Sequence, residues 1–124
     1  MSLHYIDWDA GDVTVIDLTG RITLGQGTER LRQAVQEVLE RGRRNLILNF
    51  AEVLYVDSSG LGTLVQVRNE VSSNGGTLKL MKLKQMTRDL IQVTHLHTVF
   101  EVFPDEESAL SSFGPKSAEA SERE

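Results

Sequence analysis

The sequence contains no cysteine. That excludes disulfides, thiol catalysis and cysteine-ligated zinc, and it fits a reducing cytoplasm. Basic residues are also in deficit, with 13 Lys and Arg against 18 Asp and Glu and a formal net charge of −5. A nucleic-acid surface needs a concentrated basic face. The one dense basic cluster, Arg41, Arg43 and Arg44, falls at a helix end and reads as a solvated terminus that complements the helix dipole. No apolar run approaches membrane-spanning length. The opening residues "MSLHYIDW" lack the basic flank and long apolar core of a signal peptide. Neither nucleic acid nor membrane is an expected partner, and the expected location is cytoplasmic.

What is present suits one globular domain: 124 residues, 40% hydrophobic and 25% charged. Leu3–Trp8 and Asp12–Thr19 read as strands, joined at Asp9-Ala10-Gly11 as a hairpin. Gly20–Thr28 reads as a loop, with Thr28 able to cap a helix in which Leu31, Ala34, Val35, Val38 and Leu39 form one apolar stripe. Gly42 closes that helix. Asn45–Phe50 has adjacent apolar residues, which predicts a strand covered on both faces. A second helical stripe holds Leu61, Leu64, Val65 and Val71 and ends at Asn74-Gly75-Gly76. Thr77–Met81 is a short strand, and Met86, Leu90, Ile91 and Val93 mark a third helix. Val99–Phe103 is a last strand, and Pro104 suits an early position of a final helix carrying acids at its positive end. The order β-β-α-β-α-β-α-β-α predicts an α/β fold with a mixed, mostly parallel sheet and an antiparallel first edge. Leu31, Val35, Leu46, Leu48 and Leu64 are the expected core. From Gly114 onward no large apolar residue occurs, so residues 1–113 are the expected domain and 114–124 an expected disordered tail.

The informative stretch is "YVDSSGLGTLV", Tyr55 to Val65. It places Asp57, Ser58 and Ser59 where a strand turns into a helix. All three are good N-cap residues, and Gly60 and Gly62 suit tight strand-to-helix packing. The same place is where sites form in open α/β sheets, and a helix N-terminus accommodates a phosphate. Ser58 is therefore a candidate phosphoacceptor, with an exposed hydroxyl if Gly60 and Gly62 clear the space beside it. It is a poor catalytic nucleophile: the pattern is not Gly-x-Ser-x-Gly, and only His4, His95 and His97 could serve as a base. "GLGT" lacks the third glycine of a dinucleotide loop. His95-x-His97 without a nearby acid or cysteine is a poor metal site. No catalytic residue, metal or cofactor is expected.

Asp57-Ser58-Ser59-Gly60-Leu61-Gly62 resembles the signature of STAS domains, specifically bacterial anti-sigma factor antagonists. "VTVIDLTGRI", "RNLILNFAEVLYVDSSGLG", "NGGTLKLMKL" and "VFEVFPDEESAL" extend the resemblance over residues 3–113. The resemblance implies a partner switch without enzymatic activity of its own. The antagonist binds an anti-sigma factor that is also a serine kinase, and so frees a sigma factor. The kinase phosphorylates the first serine, here Ser58, and the complex dissociates. A metal-dependent serine phosphatase restores it. The implied partner-binding residues are Thr23, Gly25, Asp57, Ser58, Ser59, Gly60, Leu61 and Gly62. Thr23 stands where many antagonists carry an acid, which leaves the partner's identity open. Two other readings share the fold: a scaffold or sensor-associated protein that assembles with other STAS domains without acting on a sigma factor, and a small-molecule or nucleotide-binding domain like those attached to anion transporters.

Overall fold

The computed structural model describes residues 2–114. Its elements are β1 (Leu3–Ala10), β2 (Val13–Ile22), α1 (Gln26–Glu40), β3 (Asn45–Val56), α2 (Ser58–Ser73), β4 (Thr77–Met81), α3 (Gln85–Val93), β5 (Val102–Phe103) and α4 (Glu106–Ser111). The strands lie side by side in chain order. β1 pairs antiparallel with β2, and each later neighbour pairs parallel. Successive right-handed crossovers that all step in one direction leave their helices on one face. That face carries the larger core, in which Leu31, Val35, Leu46, Leu48 and Leu64 are all fully buried. Ile47, between Leu46 and Leu48, points the other way into a smaller core with Val13, Val15, Met81, Ala109 and Leu110, beneath α4. The run Leu46-Ile47-Leu48 is thus buried on both faces, as its unbroken hydrophobicity requires.

β3 is longer than its sequence pattern suggests. Phe50, Val53 and Val56 all join the helix-side core at a spacing of three, which strict alternation does not allow. The pairing of β2 with β3 slips between Asp17 and Thr19 and again between Gly20 and Arg21. Each slip places an extra residue on β3, as a bulge does. β2 therefore runs on to Ile22 and β3 to Val56, where a sequence reading stops at Thr19 and Phe50. The outcome is functional: Ile22 and Asp57 meet, with Asp57 N donating to Ile22 O at 3.3 Å.

Other expectations also need correction. The β1–β2 turn is Gly11-Asp12, and Ala10 belongs to the strand. α1 starts at Gln26 with Gly25 as its N-cap. Thr28 lies inside the first turn, where its hydroxyl donates to Gly25 O at 3.0 Å. Arg41, Arg43 and Arg44 are more than a solvated helix terminus. Arg41 pairs with Asp7 at 3.0 Å, and Arg43 reaches Thr14 Oγ1 and Gly11 O, both at 2.8 Å. Arg44 donates to Leu39 O at 3.0 Å, taking up a carbonyl of α1's last turn. Met86 and Val93 are exposed because α3 buries only Thr87 and Ile91. The segment before β5 is a 3₁₀ turn, Leu96–Thr98, so only Val102–Phe103 is strand. Pro104 precedes α4's N-cap, Asp105, and is not in the helix. Of the expected tail, residues 115–124 lie outside the described residues.

Candidate functional site

The site is built where β2 and β3 end and α1 and α2 begin. Asp57 leaves β3 in an extended conformation and caps α2, its Oδ1 accepting Gly60 N–H at 2.7 Å. Its Oδ2 accepts Leu24 N–H at 3.1 Å, from a residue 33 positions earlier in the chain. One carboxylate therefore holds two segments together. With Asp57 as the cap, Ser58 is the first residue of the helix and Ser59 the second. The three candidate caps are thereby resolved. Ser58 is exposed and makes no side-chain hydrogen bond to any described residue. Ser59 is half-buried, and its carbonyl accepts Thr63 Oγ1–H at 3.0 Å.

Gly60 and Gly62 have different tasks. A side chain on Gly60 would collide with Ile22 O, because the first turn of α2 lies directly on the end of β2. Gly60 thus permits close approach and does not clear space around Ser58. Gly62 is exposed, with open space where a Cβ would sit. Leu61 is only 7% exposed and packs in the helix-side core, so its side chain is not offered to a partner.

The loop before α1 completes the site. Gly25 caps α1 at φ +100°, a conformation glycine adopts without strain. Thr23 is half-buried, and its carbonyl accepts Thr28 N–H at 3.0 Å. Between them Leu24 is 76% exposed. Sequence reasoning missed Leu24, since nothing in "TLG" shows that its backbone is bonded while its side chain is bare. On the other flank, Tyr55, Val56, Met86, Leu90 and Val93 line a groove of about 280 Å³.

Phosphate would be tolerated here. Asp57 occupies the Gly60 N–H with its side chain and the Leu61 N–H with its carbonyl, the latter at 2.9 Å. The N–H groups of Ser58 and Ser59 are left at the positive end of a 16-residue helix. No acid stands in α2's first turn. Among the described residues no group of three or more His, Cys, Asp or Glu converges. No helix among them is long and apolar enough to cross a membrane.

This fold and this motif are those of a STAS domain. The STAS domain family model matches residues 4–109, and the chain belongs to that family. It is 25% identical over 85 residues to BtrV, a candidate anti-sigma factor antagonist of Bordetella bronchiseptica, across 68% of this chain and 73% of that protein. It is 32% identical over 72 residues to the anti-sigma-B factor antagonist of Bacillus subtilis, across 58% of this chain and 65% of that one. The fold superposes at a TM-score of 0.78 on the crystal structure of an anti-sigma factor antagonist from Mycobacterium paratuberculosis. That match has 23% identity and covers 89% of this chain and 92% of the other. The α/β class, the mixed sheet and the antiparallel first strand expected from sequence are those observed.

Proposed function

We propose that this chain is a cytoplasmic anti-sigma factor antagonist that acts by binding and is switched by phosphorylation of Ser58. In its unmodified form it binds a serine-kinase anti-sigma factor and so releases a sigma factor. Phosphorylation ends the complex, and a metal-dependent serine phosphatase renews it. The chain is the substrate of both enzymes and catalyses neither step. The observation that carries this reading is the exposed Ser58 hydroxyl at the first position of α2, bonded to no described residue. The relatives named as anti-sigma factor antagonists support the partner class.

The switch is electrostatic. A phosphate adds about −1.5 to −2 charge beside Asp57, on a chain whose net charge is already −5. A partner surface shaped for a neutral hydroxyl must then desolvate a dianion. A loss of roughly 3 kcal/mol would weaken the complex more than a hundredfold. The fold need not change, because α2's N-terminus accommodates the anion. Thr23, Gly25, Asp57, Ser58 and Gly62 form the proposed partner surface, with Ser59, Gly60 and Leu61 holding it in shape. The test is to incubate the protein with a serine-kinase anti-sigma factor and ATP and to map the phosphate by mass spectrometry. Phosphate on Ser58 is expected, and phosphate on Ser59 alone would overturn the assignment.

A further inference from the structure

Leu24 is among the most exposed large apolar side chains of the protein, at 76%. An exposed leucine on a loose loop is ordinary. This one stands on a loop whose backbone is bonded at each of three successive residues. Thr23 O accepts Thr28 N–H at 3.0 Å, and Gly25 O accepts Glu29 N–H at 3.0 Å. Between them Leu24 N–H donates to Asp57 Oδ2 at 3.1 Å. The backbone is held while the side chain is bare. That bond also fixes the loop to the residue preceding the phosphoacceptor.

We infer that Leu24 is an apolar contact for the partner that reads Ser58, and that Asp57 is the positioning residue that presents it. The partner's identity as a serine-kinase anti-sigma factor rests on the function proposed above; the Asp57 latch does not. The partner feature that fits is an apolar recess adjoining the site that receives the Ser58 hydroxyl. A pre-ordered loop loses little freedom when it docks, and a side chain that fills a desolvated recess at an interface contributes more than its neighbours at the rim. Asp57 would then serve the fold through Oδ1 and recognition through Oδ2. Because both oxygens belong to one carboxylate, the loop and Ser58 reach the partner in one fixed arrangement.

Asparagine separates the two roles. It has one acceptor oxygen and one amide nitrogen. Asp57→Asn keeps the bond to Gly60 N–H and caps a helix as well as aspartate does. Its NH₂ then faces the Leu24 N–H, donor against donor, and the latch opens. A residue that merely caps α2 would show no such effect on the loop.

The experiment has two parts. Amide exchange is followed by NMR in the parent and in Asp57→Asn. Leu24 N–H is expected to exchange at least about tenfold faster in the variant, reflecting a lost bond of about 1.4 kcal/mol, while Gly60 N–H stays protected. Unchanged exchange at Leu24 would overturn the latch. Binding to the kinase that phosphorylates Ser58 is then titrated for Asp57→Asn, Leu24→Ser and the double variant. Each single change is expected to weaken binding about tenfold. The double variant should be little worse than either, because both changes act through one loop. Parent-like affinity in Leu24→Ser, or fully additive losses, would overturn the inference. If no such kinase phosphorylates Ser58, the proposed function falls and takes the partner role of Leu24 with it. Amide exchange still decides the role of Asp57 in that case.

Discussion

Two helices in this protein begin with the same local chemistry and end in different uses. α2 opens Asp57-Ser58-Ser59-Gly60, and α4 opens Asp105-Glu106-Glu107-Ser108. Each aspartate caps its helix by accepting the N–H three residues on, at 2.7 Å from Gly60 and 2.8 Å from Ser108. In α4 the capping carboxylate is fully exposed and holds only its own turn. In α2 it also reaches across to Leu24. The positions after the cap differ as well. α4 fills them with acids that complement the helix dipole. α2 fills them with serines, so no acid follows its capping aspartate in the first turn. A helix start that already holds two carboxylates is a poor place for a phosphate. One that holds neutral hydroxyls can receive a dianion and change sharply in charge when it does.

The largest expected effect lies in the glycines that distinguish α2's start. Gly60→Ala forces a methyl group against Ile22 O, so α2 must lift off β2, at a loss of about 3 kcal/mol. Gly62→Ala meets nothing and replaces a helical glycine, so it should gain about 0.5–1 kcal/mol. Denaturant unfolding of the two variants checks both signs. Equal losses would mean that the two glycines share one structural task.

Next comes removal of the caps. Asp57→Ala should lose about 1–2 kcal/mol, since it uncaps α2 and frees Leu24 N–H together. Asp105→Ala should lose less, because its exposed carboxylate holds a single turn. Thermal unfolding of both variants side by side orders the two. A larger loss at Asp105 would erase the distinction drawn between the two starts.

The smallest effect is in pH. The backbone N–H of Ser108, and then its side chain, hold the Asp105 carboxyl below the ordinary aspartate range. A carboxyl with a depressed folded-state pKa stabilises the fold above its unfolded pKa, and that contribution fades as pH falls through the folded value. NMR titration of Asp105 should therefore show a midpoint below that of an unfolded peptide. In Ser108→Pro, which has no N–H to give, the midpoint should return toward the ordinary value.

Much of this was legible in the sequence, for definite reasons. The stripe Leu31, Ala34, Val35, Val38 and Leu39 is fully or nearly buried, because a helix on a sheet must face it with one side. β4 matches Thr77–Met81 residue for residue, bounded by glycines on one side and a turn on the other. The misses arise where local pattern yields to tertiary geometry. The continuations of β2 to Ile22 and of β3 to Val56 depend on register slips that periodicity does not encode. Met86 and Val93 fit a helical stripe, but α3 is short and buries only Thr87 and Ile91, leaving them at 61% and 76% exposure. Within the site, the motif Asp57 to Gly62 was readable as a unit. The choice of cap among Asp57, Ser58 and Ser59 was not, since all three are good caps and only the structure assigns the bond. The bond to Leu24 was beyond reach for a similar reason: it joins residues 33 positions apart through a backbone N–H that any residue type carries.

Under the proposed function a partner reads Ser58 through the charge that phosphorylation adds. Ser58→Asp makes the start of α2 resemble that of α4, so the fold should hold or gain a few tenths of a kcal/mol, which a thermal melt verifies. The measurement that bears most directly is titration calorimetry of the parent, Ser58→Ala, Ser58→Asp and the phosphorylated protein against the serine-kinase anti-sigma factor. Ser58→Ala should bind nearly as the parent does. Ser58→Asp should bind at least tenfold more weakly, a loss of about 1.4 kcal/mol or more, and the phosphorylated form more weakly still. Equal affinities across all four would mean that Ser58 is not a charge-operated switch.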